Sequence, residues 1–300
     1  MPIKDEVNTL NIRILNVLSD LNCNISDEIK DYLSSKSKRL RPSLIFLFAK
    51  ALNIKITDEI YYIACAVELI HNSTLIHDDI IDEAKIRRGK ISLNAKLGNS
   101  LSVLAGDILI TLGLKQLISL NNNKIINIFT ESLYKMCKGE INQLYTKGKI
   151  PTVEDYIKKS ENKTAELFKS ALVSLFYISD INEIKKITDF AKNFGIAFQI
   201  RDDLINIIGS DNKKPLLNDI KSGIYTAPVI YLNEDENINS LSEEKIIQLV
   251  QNKKYIEKTY NLIKYYTEKA IKSIDFIQEN QYKQKITEIT LNFYKEVMNE

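Results

Sequence analysis

The sequence predicts an all-α fold of roughly ten or more helices. Helix breakers are scarce, with 9 Gly and 5 Pro in 300 residues. Apolar residues recur three and four apart over long stretches, as in "IYYIACAVELI" (60–70) and "YIEKTYNLIKYYTEKAIKSI" (255–274). The alternating patterns that strands need are few and short.

The stretches carry their own start and stop signals. Ser26 before Asp27, Thr57 before Asp58 and Glu59, and Thr152 three residues before Asp155 read as helix N-caps. "NNNK" (121–124) reads as a turn between helices, and "NEDENINSLSEEK" (233–245) as a surface loop leading into another helix. No linker, fixed-period repeat or low-complexity tail interrupts the pattern, so residues 1–300 are expected to form one domain.

Bulk properties exclude more than they assign. Apolar residues make up 44% of the chain, and the 41 basic and 39 acidic residues nearly cancel, so no global field points to nucleic acid or a membrane surface. Cys23, Cys65 and Cys137 are widely spaced and odd in number, which suits a reducing cytoplasm. Cys65 reads as core packing. The opening "MPIKDEVNTLNIRI" lacks the features of a signal peptide, and no apolar run is long enough to predict a transmembrane segment. His71 and His77 are the only histidines, which leaves no zinc site, and neither a P-loop nor GxGxxG is present. His77 reads as structural.

Chemistry concentrates in "TLIHDDIIDEAKIRRGK" (74–90). On a helix, Asp78 and Asp82 share a face, with Asp79 about 100° round. Ionised carboxylates among Leu and Ile are costly without partners. A second pair, Asp202 and Asp203 in "FGIAFQIRDDLINII" (194–208), again sits in an apolar helix, with Asn206 four residues after Asp202. Two such helices facing each other would make an oxygen-only site suited to a hard cation. Mg²⁺ keeps waters and shares itself with substrate phosphates. Arg87, Arg88 and Lys90 then read as phosphate ligands.

These segments belong to an ordered set that resembles the trans-prenyltransferases of the polyprenyl diphosphate synthase family over most of the chain. "SKRLRP" (37–42) is similar to the family's GKRxRP, with Ser37 in place of Gly. "ELIHNSTLIHDDIIDEAKIRRGK" (68–90) is similar to the first aspartate-rich region. "GNSLSVLAGDILI" (98–110), "GEINQL" (139–144) and "NKTAELF" (162–168) follow in the family's order. "FQIRDDLIN" (198–206) and "KKPLLNDIKSGIYTAP" (213–228) resemble the second region and its tail. The resemblance implies the isoprenoid synthase fold, with helices around a central cavity. It also implies condensation of isopentenyl diphosphate onto an allylic diphosphate.

By the same resemblance, Asp78, Asp79 and Asp82 bind Mg²⁺ that clamps the allylic diphosphate. Asp202, with Asp203 beside it, holds a further ion, up to three in all. Arg87, Lys163 and Lys214 would touch that diphosphate, and Lys38, Arg41, His71 and Arg88 the diphosphate of isopentenyl diphosphate. Thr164 and Gln199, with Lys163, would lie by the reacting carbons. The chemistry suits these residue types. Breaking the allylic C–O bond leaves a carbocation and a charged leaving group; fixed cations stabilise the second, and an apolar cavity shields the first from water.

Some positions depart from the family. Asn206 stands where the second cluster usually ends in Asp, Ile224 where Lys is frequent, and Lys213 where Gly precedes Lys214; "NFYKEVMNE" has no arginine. Two other readings stay open: a non-catalytic partner subunit of a heteromeric prenyltransferase, and a class I terpene cyclase. The intact first cluster with both arginines opposes the former; Lys38, Arg41 and Arg88 oppose the latter.

Product length is read from Ser73 and Thr74, five and four residues before Asp78. Short-chain members carry a bulky floor there. Both residues here are small, so the growing chain would pass on toward Ile70 and Ala66. "RRGKISLNAKLGNSLSVLAGD" is also more similar to long-chain octaprenyl and heptaprenyl diphosphate synthases than to farnesyl ones. The expectation is a product longer than C20, in the C30 to C50 range, with a short-chain farnesyl or geranylgeranyl product as the alternative. The resemblance further implies a homodimer, its interface made of apolar helices near the first cluster.

Overall fold

The computed structural model describes residues 2–19, 21, 23–34, 39–208 and 220–298. In chain order come α1 (Lys4–Ser19), α2 (Ser26–Ser34), α3 (Leu40–Ala51), α4 (Asp58–Ile81), a hairpin of β1 (Ile86–Arg87) and β2 (Lys90–Ile91), α5 (Leu93–Leu97) and α6 (Asn99–Ile118). Then follow α7 (Asn123–Tyr145), α8 (Val153–Ser160), a π-helical segment (Glu161–Ala165), α9 (Glu166–Tyr177) and α10 (Ile184–Ile208). The chain continues with α11 (Ala227–Asp235), α12 (Glu243–Val250), α13 (Lys253–Lys272) and α14 (Gln281–Met298). The all-α expectation holds. Thr57 and Thr152 hold the expected N-cap positions, but only Thr152 caps with its side chain, its Oγ1 accepting from Asp155 N and Asp155 Oδ2 accepting from Thr152 N; Ser26, also expected as a cap, is instead the first residue of α2, its Oγ donating to Leu21 O.

The chain forms two compact units, Met1–Phe129 with Ala171–Ile181, and Thr130–Ser170 with Asn182–Glu300. In the first, α4 is the spine. Ile60, Ile63, Val67 and Ile70 recur at three and four and are fully buried. α6 packs close against α4 because two of its positions lack side chains. A Cβ at Gly106 would sit 2.2 Å from His77 Nε2, and one at Gly113 would sit 2.9 Å from Ile70 Cγ1. Across this contact Ser73 Oγ donates to Gly106 O at 2.8 Å. Elsewhere α6 leaves Leu101, Val103, Leu104 and Ile118 exposed. Among the described residues it is also the one helix long and apolar enough to cross a membrane, with 33% of that stretch buried. Asp107 and Lys115 interrupt its apolar sequence, so no unbroken run of that length exists.

In the second unit α10 is the spine, packed against α13 and α14. Its core is aromatic: Phe194 stacks edge-on to Phe168 at 5.1 Å and to Phe293 at 4.7 Å, and Phe198 meets Phe293 at 5.7 Å. A smaller apolar cluster around Val229, Leu232 and Val250 anchors α11 and α12.

Candidate active site

The first carboxylate set closes α4. Asp78 lies in its last turn, and Asp82 is the C-cap, its N–H donating to Asp78 O at 2.8 Å. Glu83 is left-handed at φ 51°. Ala84 N donates back to Asp79 O at 2.9 Å and Glu83 N to Ile80 O at 3.3 Å, a Schellman closure. A helix C-terminus carries the negative end of the dipole, so three carboxylates there need cations.

One such cation comes from the hairpin. Arg88 at φ 53° and Gly89 at φ 76° form a two-residue turn with both residues left-handed, a conformation that Gly89 adopts without a Cβ penalty. The turn sets Arg87 beside α4, where its Nε donates to Asp79 Oδ1 at 2.7 Å and its Nη2 bonds the same oxygen. Asp79 is buried, and its Oδ2 has no hydrogen-bond partner. Asp79 therefore serves Arg87, while half-buried Asp78 and exposed Asp82 reach solvent.

A second feature of this unit starts from Arg39, left-handed at φ 45°, ψ 40° ahead of α3. Its guanidinium is buried, with Nη1 donating to Glu68 Oε1 at 2.5 Å, Nη2 to Leu33 O at 2.7 Å and Nε to Asn11 Oδ1 at 3.2 Å. Glu68 Oε1 also accepts from Asn72 Nδ2 at 3.0 Å. These bonds tie α1, α2 and α4 to the start of α3. Arg41, in the first turn of α3, then donates from Nη1 to His71 Nε2 at 3.0 Å. Burial first, and the charge of Arg41 second, hold His71 well below its usual range, so the ring is neutral and accepts this bond. Lys38 lies outside the described residues. Arg88 is exposed at the hairpin tip, Thr74 is half-buried with its Oγ1 donating to His71 O, and Ser73 is fully buried toward α6.

In the second unit, the π-helical turn carries Lys163 and Thr164. Such wide turns accommodate an extra residue within a helix and recur at functional sites. α10 approaches it closely at Gly195, where a Cβ would lie 2.5 Å from Ala165 Cα. One turn further along α10, Gln199 Oε1 accepts from Thr164 Oγ1 at 2.5 Å. Gln199 Nε2 donates to Asp203 Oδ1 at 2.9 Å, and Tyr156 OH to Asp203 Oδ2 at 2.6 Å. Burial raises the Asp203 carboxyl, and the bonds from Tyr156 and Gln199 partly offset it. Lys163 Nζ donates to Glu140 Oε2 at 3.0 Å. Arg201 Nε donates to Asp202 Oδ1 at 3.0 Å, its guanidinium 4.8 Å from the Phe198 ring centre. Asn206 is exposed, and Lys214 lies outside the described residues.

The structure thus joins Arg41 to His71, Asp79 to Arg87, and Thr164 to Gln199 and Asp203. Reading the sequence missed Arg39, Glu68, Glu140 and Tyr156. Glu68 had a signal: it is an acid within an otherwise apolar helix stretch. Tyr156 had none, since an aromatic one turn after a cap usually means core.

The polyprenyl synthetase family model matches residues 23–264, most of the chain. The chain belongs to the polyprenyl synthetase family. A prenyl transferase from Cyanidium caldarium is 32% identical, covering 90% of this chain and 90% of its own. A decaprenyl-diphosphate synthase from Dictyostelium discoideum is 34% identical over 81% of this chain, which spans 56% of that longer protein. The crystal structure of a geranylgeranyl pyrophosphate synthase from Lactobacillus brevis, 24% identical, matches with a TM-score of 0.90 over 98% of this chain and 97% of that one. The expected isoprenoid synthase fold and enzyme class are therefore those of this polyprenyl synthetase. Among its described residues, no group of three His, Cys, Asp or Glu could hold a metal unaided. The solvent-reaching carboxylates Asp78 and Asp82 at the end of α4, all-oxygen donors, instead fit a divalent cation completed by water and phosphate oxygens.

Proposed function

We propose that this polyprenyl synthetase condenses isopentenyl diphosphate successively onto an allylic diphosphate, giving an all-trans product longer than C20. The reading rests above all on the end of α4. Two solvent-reaching carboxylates, Asp78 and Asp82, stand one turn apart at the helix's negative end, and the hairpin beside them supplies Arg87 and Arg88.

Asp78 and Asp82 would hold Mg²⁺, with Asp202 for a further ion; bound Mg²⁺ neutralises the diphosphate as it leaves. Arg87, Lys163 and Lys214 hold the allylic diphosphate in place. Arg41, kept in register by Arg39 and Glu68, binds the second diphosphate with Arg88, Lys38 and neutral His71. A neutral imidazole can donate one hydrogen bond to phosphate while accepting from Arg41, so the site gains a contact without a third adjacent cation. Thr164 and Gln199 present oxygens to the reacting carbons, and the apolar flanks exclude water.

The long product is supported by the small residue Thr74 and by the decaprenyl name of the Dictyostelium relative. Ser73 is a poorer place to test it, because its hydroxyl is committed to Gly106 O. A homodimer is supported by the exposed apolar positions of α6, which a second copy would cover. A single functional domain and a cytoplasmic location complete the reading. Incorporation of labelled isopentenyl diphosphate into a longer allylic diphosphate, abolished by EDTA and restored by Mg²⁺, tests it; failure to incorporate under any metal refutes it.

A further inference from the structure

We infer that Tyr156 is a positioning residue that fixes the direction of a hydrogen-bond chain, so that Thr164 turns lone pairs, and no hydrogen, toward the reacting carbons. The inference rests on the prenyl-transfer reading above. Tyr156 is buried on α8, one turn after the Thr152 cap, and Ser160 Oγ donates to its carbonyl at 2.9 Å. Its hydroxyl donates to Asp203 Oδ2 at 2.6 Å. With Oδ2 taken, the carboxyl is held in the orientation that presents Oδ1 to Gln199 Nε2 at 2.9 Å.

That contact decides which way the Gln199 amide faces. A flipped amide would set its carbonyl oxygen against the carboxylate, two acceptors in contact. Held this way, Oε1 faces Thr164 and accepts its hydroxyl hydrogen at 2.5 Å. The only hydrogen on Thr164 Oγ1 is thereby committed to Gln199. What remains on that oxygen is negative partial charge, which suits a carbocation developing on the allylic carbons. Both oxygens of Asp203 accept within this chain; in this reading Asp203 acts through Gln199, and Mg²⁺ binding is assigned to Asp202.

Steady-state kinetics of Tyr156→Phe, Thr164→Val and the double variant test this. Tyr156→Phe is expected to lower kcat about tenfold, the effect of losing one charge-assisted hydrogen bond. Both KM values should stay within about twofold, since no diphosphate contact changes. The double variant should be no slower than Thr164→Val alone, because the two act through one chain. Wild-type kcat in Tyr156→Phe, or losses that multiply in the double variant, overturn the inference. Should Tyr156→Phe not fold, Asp203→Asn carries the test: kcat must fall while the Mg²⁺ concentration for half-maximal rate stays the same, and a raised Mg²⁺ requirement overturns it. A wild type that makes no elongated product refutes the proposed function, which separates that failure from this one.

Discussion

Gly195→Ala probes how the fold positions the Thr164–Gln199 pair. Helix propensity alone predicts that Ala stabilises α10 by about 1 kcal/mol. The packing predicts the opposite sign. A Cβ at residue 195 would lie 2.5 Å from Ala165 Cα, 2.6 Å from its Cβ and 3.0 Å from its N. Carbon atoms rest about 3.5–4.0 Å apart, so α10 and the π-helical turn must separate by about 1 Å. No flexible side-chain tip can yield, because two of the three atoms are backbone. The upper end of the usual overpacking cost, about 3 kcal/mol, therefore applies. Less the propensity gain, the net loss is about 2 kcal/mol, which lowers Tm by about 3 °C in a chain of this size. The same displacement stretches the 2.5 Å Thr164–Gln199 bond to about 3.5 Å, the outer limit for a hydrogen bond. Turnover should then fall about tenfold with KM little changed. Calorimetry and steady-state kinetics on the purified variant read both effects. A Tm at or above that of the wild type, with full turnover, would refute the close approach as the positioning device.

Asp78→Ala and Asp82→Ala should each cut turnover at least about a hundredfold, the scale of losing electrostatic stabilisation of the leaving group, while Tm stays near wild type; comparable activity in either variant, or in EDTA, contradicts the metal-clamp role. Glu68→Gln leaves the Arg39 charge buried without its partner and should destabilise by about 3 kcal/mol, read as a lowered midpoint in urea; an unchanged midpoint shows that the pair is not structural. Asn206→Asp adds a charge four residues after Asp202 and should lower the Mg²⁺ concentration for half-maximal rate, whereas an unchanged requirement removes Asn206 from the metal site. Thr74→Phe should shorten the product toward C15 or C20 without loss of the first condensation; an unaltered product spectrum means that the chain runs past another face of α4.

Much of this was legible in the sequence because it is local. The helix period, the Thr152 box and the Asp78–Asp82 spacing depend on neighbours within a few residues. The motifs resembling the family added the order of the site segments. Three things were not legible. Asp79 looks identical to Asp78 in one dimension, yet it lies about 100° round the helix and meets Arg87 instead of solvent. Ser73 and Thr74 look equally small, but only tertiary packing reveals that Gly106 draws α6 onto Ser73. Tyr156 and Glu140 act through partners 47 and 23 residues away, and no spacing rule reaches that far.

Product analysis of the purified wild type tests the central claim most directly. The protein is incubated with Mg²⁺, an allylic diphosphate primer and labelled isopentenyl diphosphate, and the dephosphorylated products are separated by chain length. The account predicts a ladder of all-trans products ending beyond C20, absent when EDTA replaces Mg²⁺. A folded protein that consumes no isopentenyl diphosphate contradicts the proposed activity, and a ladder that stops at C15 or C20 contradicts the reading of Thr74.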